Sequence, residues 1–250
     1  TIRLMQGEGG LGKTRLATEL CHQLKTQDWT VGLLDKDQTQ PQLATLWQSI
    51  KATDKACLIV VDYAETQTAE LIALLKLMLS QPSNKKVCLL LLARDGGEWW
   101  EHLASKDATT EGLLAGRATE PFPVSTLYDS AEQRQQGYQN ALTAFAEVLK
   151  LDAPTTTADL TGDHFAKPLF IQMSALLMLH GEQPQSADGI TRAILNHEQR
   201  YWDGALNSAG ITISGASARK LLALVTLAGN FTTAKDAKDY WDIADNNNLS

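Results

Sequence analysis

The chain has 250 residues, 44% of them hydrophobic and 20% charged, which is enough to bury a core and excludes a disordered chain. Lys and Arg total 22 against 29 Asp and Glu, so the net charge is −7 and the pI near 5.2; this is a poor candidate for a sequence-independent binder of nucleic-acid phosphates, although a local basic patch is not excluded. Cys21, Cys57 and Cys88 are widely spaced without a CxxC pair, which excludes a disulfide framework or a zinc site and fits free thiols in a reducing, cytoplasmic compartment.

No apolar run approaches the ~20 residues that cross a bilayer, and no signal peptide precedes the first strand. The chain opens on Thr1 rather than Met and enters a strand at once, which suggests a piece of a longer polypeptide.

Ile2–Gln6 reads as a short strand. Residues 7 to 14 follow as Gly-Glu-Gly-Gly-Leu-Gly-Lys-Thr, satisfying G-x-x-x-x-G-K-[ST]. Arg15 to Lys25 reads as a helix, with Leu16, Ala17, Leu20, Cys21 and Leu24 on one face. Gly7, Gly9, Gly10 and Gly12, with Leu11 between them, let successive backbone N–H groups turn inward at phosphate oxygens, helped by the helix N-terminus at Arg15. In this pattern Lys13 reaches the β and γ phosphates and the Thr14 hydroxyl ligates Mg2+. A glycine-rich turn without a ligand is the plain alternative.

Thr30–Asp35 reads as a second strand and Gln42–Ile50 as a helix with Leu43, Leu46, Trp47 and Ile50 on one face. Ala56–Val61 is a run of six apolar residues, the signature of a parallel strand covered on both faces, and Asp62 ends it where ligands bind in open α/β sheets. Asp62 is thus placed to hold the Mg2+ shell, or to cap a following helix. Glu65, three residues on, is placed to orient or deprotonate the attacking water; a solvated first-turn glutamate is the alternative.

Glu70–Leu79 is an apolar helix, and Lys86–Ala93 is a buried strand closed by Arg94. At that sheet edge a guanidinium reads the γ-phosphate, and otherwise pairs with Asp95 or Glu98. Glu98–Ser105 is a helix that opens with Trp99 and Trp100, assigned to the core. Pro121–Val124 starts the last strand, confined by its prolines to an edge or an end.

This alternation predicts an α/β fold: a three-layer parallel-sheet ATPase domain over 1–128. A helical domain follows over 129–208 and a partial winged-helix-like region over 209–250. Its helices are read at Ser130–Leu149, Leu169–Leu179 with Pro168 in the first turn, Gly189–Leu206, Ser217–Leu227 and Thr233–Ile243. His164 and His180 lack partners at metal-binding spacing. His197, Glu198 and Arg200 lie on one helix and form either a structural network to the ATPase domain or a nucleotide contact.

Gly7–Ala17, then Val60-Val61-Asp62-Tyr63-Ala64-Glu65, then Leu91–Arg94 with Trp99-Trp100, and finally His197–Trp202 occur in one order along most of the chain. By this set the chain resembles the bacterial STAND-type P-loop NTPases, relatives of the NACHT and NB-ARC switch ATPases. The resemblance implies Lys13 and Thr14 as the Walker A pair, Asp62 as the Walker B acid and Arg94 as the sensor arginine. Pro168 resembles the Gly-x-Pro proline that packs near the base, although Ala166 stands where that motif has glycine. No histidine here matches the family's winged-helix histidine. The resemblance also implies that ADP holds a closed monomer, and that exchange for ATP opens the chain and drives self-association. Bacterial members carry an N-terminal effector and a C-terminal sensor in the same chain, and several serve antiphage defence. Neither membrane nor direct nucleic-acid contact is expected of this segment.

Three functions fit these motifs to different degrees. The best match is an ATP/ADP-binding regulatory switch with slow ATP hydrolysis. A nucleotide-binding scaffold without turnover is the next. A P-loop kinase is disfavoured, because residues 98 to 117 contain one arginine where such a lid needs several. The guanine signature N-K-x-D is missing, which favours ATP.

Overall fold

The computed structural model describes residues 1–105, 120–154 and 156–208, and residues 214, 216, 217, 219, 220 and 223. The helices read at Ser217–Leu227 and Thr233–Ile243, and the winged-helix-like region with them, lie almost wholly outside the described residues. The chain divides into two compact units: Thr1–Gly137 with Asp163–Gln172, and Tyr138–Gly162 with Met173–Ser250.

The first unit is built on five parallel strands: β1 (Ile2–Gln6), β2 (Thr30–Leu33), β3 (Cys57–Val61), β4 (Val87–Ala93) and β5 (Phe122–Pro123). Their spatial order is β2-β3-β4-β1-β5, so the short, proline-flanked β5 is an edge strand. The helices of this unit are α1 (Lys13–Thr26), α2 (Gln40–Ala52), α3 (Thr68–Ser80) and α4 (Glu98–Ser105). Alternation along the central strands explains the layering. Ile59, Val61, Leu89 and Leu91 pack with Leu43, Trp47, Leu71 and Leu74 of α2 and α3. Their neighbours Leu58, Val60, Leu90 and Leu92 pack with Ala17 and Cys21 of α1. Both faces of β3 and β4 are therefore covered, as continuous apolar runs require.

Two local readings change. On α1 the apolar face splits: Ala17 and Cys21 are buried, whereas Leu16 is 50% and Leu20 37% exposed. Five apolar positions make a stripe wider than the sheet beneath can cover. Trp99 and Trp100 pack edge to face at 5.7 Å against the core's margin, half-buried, with the Trp99 indole N–H donating to the Asp95 carbonyl at 2.9 Å. An indole that must keep a polar partner settles at a rim.

Helix α5 (Ala131–Leu149) carries the chain into the second unit, and α6 (Pro168–Leu179) and α7 (Ala187–Ser208) follow. Within that unit Tyr138, Leu142, Ala146, Leu160, Ala175, Leu177, Ile190 and Ala193 are buried, whereas Leu149 is exposed. No described helix is long and apolar enough to cross a membrane.

Candidate functional site

The loop after β1 has the backbone its glycines predict. Gly10 and Gly12 adopt φ of +83° and +88°, left-handed values that L side chains rarely take. A Cβ on Gly7 would lie 3.1 Å from Leu11 and 3.2 Å from the Val124 carbonyl. The Gly7 N–H donates to the Ala93 carbonyl at 3.2 Å, which ties the loop to the end of β4. Gly12 caps α1, so the helix N-terminus faces the loop's interior. The Lys13 ammonium bends back to donate to the Gly7 carbonyl and, at 3.1 Å, to that of Glu8. Burial holds Lys13 below the usual lysine range and Arg94 adds to this, while Glu65 and Asp62 oppose it.

Asp62 leaves β3 in the predicted place. Its Oδ2 accepts a 2.9 Å hydrogen bond from the Thr14 hydroxyl, and its Oδ1 accepts the Tyr63 N–H at 3.0 Å. Asp62 does not cap α3, whose N-cap is Gln67. Glu65 is half-buried rather than solvated: Oε1 accepts the main-chain N–H of Arg94 at 3.3 Å, and Oε2 is buried with no partner among the described residues.

Strand order explains the convergence. β4 lies between β1 and β3, so Arg94 emerges between the glycine loop and the Asp62–Glu65 turn. Among the described residues Arg94 makes no ion pair with Asp95 or Glu98. Gly9 through Arg15, Asp62, Glu65, Arg94 and Pro168 all line one cleft of about 880 Å³. Its far end is formed by Ser125, Thr126, Leu127, Tyr128, Leu169 and Gln172. A volume of this size suits a nucleotide.

The oxygen pair of Thr14 and Asp62 fits Mg2+, which binds through one or two protein oxygens plus substrate phosphates. The unpartnered Glu65 Oε2 adds acceptor capacity beside them. Among the described residues no group of three or more His, Cys, Asp or Glu could hold a metal without such help.

One contact set has no precedent in the sequence pattern. Lys167 pairs with Glu8 of the glycine loop at 2.5 Å, the Leu169 N–H donates to the Gly10 carbonyl at 3.3 Å, and Leu169 lies over Gly10. Lys167 also holds the Glu8 carboxyl below the usual glutamate range. The partners are too far apart in the chain for any local signal; the nearest was the Pro168 motif itself. His197 is brought to Glu182, Nε2 to Oε1 at 2.8 Å, and its ring lies 4.5 Å from that of His180, all within the second unit. The side chains of Arg200 through Trp202 lie outside the described residues.

Among solved structures, the chain is similar to the ADP form of the Aeropyrum pernix ORC2 protein, at 14% identity over 97% of this chain and 73% of that one, with a TM-score of 0.47. It is similar to the Aeropyrum pernix ORC1 protein in complex with DNA, at 11% identity over 100% and 73%, with a TM-score of 0.49. A closed-state reconstruction of Hsp104 with ATPγS and FITC casein gives 16% identity over 90% and 42%, with a TM-score of 0.43. At these identities and TM-scores the likenesses say nothing of ligand or function. No curated protein matches the chain. Residues 1–107 match the family described as Novel STAND NTPase 5, a span that contains the glycine loop, Asp62, Glu65 and Arg94. Over that span the chain is thus similar to the STAND NTPases.

Proposed function

We propose that the chain is the ATP/ADP switch module of a larger STAND NTPase, in which nucleotide exchange and slow hydrolysis govern opening and self-association. The observation that carries this reading is the grip of residues 167–169 on the glycine loop through Glu8 and Gly10. Pro168 and Leu169 form the first turn of α6, so a change in the loop's phosphate load reaches a helix that continues into the second unit. Adenine is favoured by the missing guanine signature. A role in antiviral defence rests on the family resemblance and requires flanking effector and sensor segments.

In this reading Lys13 leaves the Gly7 and Glu8 carbonyls to meet the β and γ phosphates, whose oxygens accept the loop's N–H groups. Thr14 and Asp62 hold Mg2+, which when bound neutralises charge on the phosphate oxygens. Glu65 takes the proton of the attacking water at Oε2, its other oxygen being held by the Arg94 N–H. The Arg94 guanidinium distinguishes a terminal γ-phosphate from its absence.

Calorimetric titration with ATP and ADP, combined with sizing of the full-length protein in each nucleotide, tests the proposal. Lys13→Ala and Asp62→Ala are each expected to weaken ATP binding and to abolish ATP-dependent assembly. Wild-type protein with no affinity for either nucleotide would sink it. Binding without turnover, with Glu65→Gln leaving assembly unchanged, would identify the scaffold instead.

A further inference from the structure

Gln67 is the one buried polar side chain of the described residues, 3% exposed, and it stands just beyond the site. Its amide nitrogen donates to the main-chain carbonyl of Asp62 at 2.6 Å. The acceptor is a carbonyl, so the amide must present nitrogen there, and Oε1 is left buried without a partner among the described residues. An apolar side chain of the same size would avoid that unsatisfied acceptor, so the cost is offset only by what the donor does.

The donor is needed because the chain leaves the sheet at this point. Tyr63 turns into the left-handed region at φ 52°, and a short 3₁₀ turn spans Ala64–Thr66. Gln67 also donates its own N–H to the Ala64 carbonyl at 3.1 Å and accepts the Leu71 N–H at 3.0 Å. One residue thus ties the end of β3, the 3₁₀ turn and the first turn of α3.

We infer that Gln67 is a positioning residue that sets the Asp62 and Glu65 carboxylates for Mg2+ and the attacking water. It touches neither and acts through the Asp62 main chain. The inference rests on the reading of Asp62 as the Mg2+-holding acid. Replacing Gln67 then weakens the metal-dependent part of nucleotide binding and leaves the part made by the glycine loop and Lys13.

Two variants separate this role from simple packing: Gln67→Glu keeps the size and loses the donor, and Gln67→Met keeps the size and loses all polarity. Titration with a fluorescent ATP analogue, with EDTA and across a Mg2+ series, is expected to raise the Mg2+ midpoint about tenfold in both, the range for a residue that orients a metal ligand. Affinity in EDTA stays within about twofold, because the loop's N–H groups and Lys13 need no metal. In nucleotide-free protein, amide exchange over residues 63–66 is expected to quicken in both variants relative to wild type. Wild-type Mg2+ midpoints and wild-type exchange in both variants overturn the role of Gln67. Wild-type affinity that ignores Mg2+, with exchange still quickened in the variants, overturns the metal reading of Asp62 and leaves the hold of Gln67 on the turn standing.

Discussion

The loop after β1 and the turn after β3 face one cleft and are built in opposite ways. The first is backbone: glycines at φ +83° and +88°, and a lysine that bonds to the loop's own carbonyls. The second is side chain: Asp62, Glu65 and Thr66 each hold a main-chain group of the same turn or of Arg94 just after β4, and Gln67 closes it from within. A loop that must wrap a phosphate is held from outside, by Lys167 and Leu169, and can change when they let go. A turn that must present two carboxylates at one spacing is held by its own atoms.

The largest expected effect removes the loop's charge. Lys13→Ala should weaken ATP binding about 100-fold, equivalent to ~2.7 kcal/mol, while the melting temperature stays level or rises, since burial disfavours that ammonium. Next, Gly12→Ala should cost about 1–2 kcal/mol of stability through its left-handed φ alone, because no atom of the described residues lies within 4 Å of the added Cβ. Gly9→Ala, equally unobstructed and without positive φ, should stay within about 0.5 kcal/mol in the same thermal melts. Similar losses for the two would break the claim that backbone conformation rather than space selects glycine here.

A smaller effect tests the external hold. Lys167→Met should speed ADP release roughly threefold in stopped-flow displacement, consistent with a solvent-exposed ion pair. The sign with pH follows from the lowered Glu8 carboxyl: the pair contributes above the ordinary glutamate range and is lost as pH falls through the depressed value. In wild type the release rate should therefore rise in acid toward that of Lys167→Met, which itself stays flat. Smallest of all is Tyr63→Gly. Relief of the left-handed strain is opposed by a looser unfolded chain and by loss of the Lys36 ammonium, 4.7 Å from the ring centroid, so stability should move by less than about 0.5 kcal/mol.

Much of the fold was legible because its signals are local. β1 spans Ile2–Gln6 as read, and β3 and β4 coincide with unbroken apolar runs. The glycine loop announces itself by spacing, and its flanking strand and helix supply the context that a motif needs. Asp62, Glu65 and Arg94 were legible as strand-end residues, and the structure brings all three to the same cleft. Lys167 and Gln67 were not. Lys167 meets Glu8 across most of the first unit, and no periodicity encodes such a meeting. Gln67 sits in Thr-Gln-Thr, a string that looks like solvated helix start, and its burial follows only from the chain folding back over β3. The exposure of Leu16 and Leu20 had the same cause: amphipathicity shows which side of a helix is apolar, not how far its neighbour extends.

The strand order also has a consequence for synthesis. β1 finds no neighbour in the sheet until β4 has been made, since Ile2 pairs with Leu89 and Gln6 with Ala93. A nascent chain thus carries its phosphate loop at the end of an unpaired apolar strand while β2, β3 and three helices emerge. Pairings so distant in sequence form slowly and leave strand edges open to wrong partners meanwhile. The residues that make the site possible are therefore also the ones a chaperone would need to shield longest.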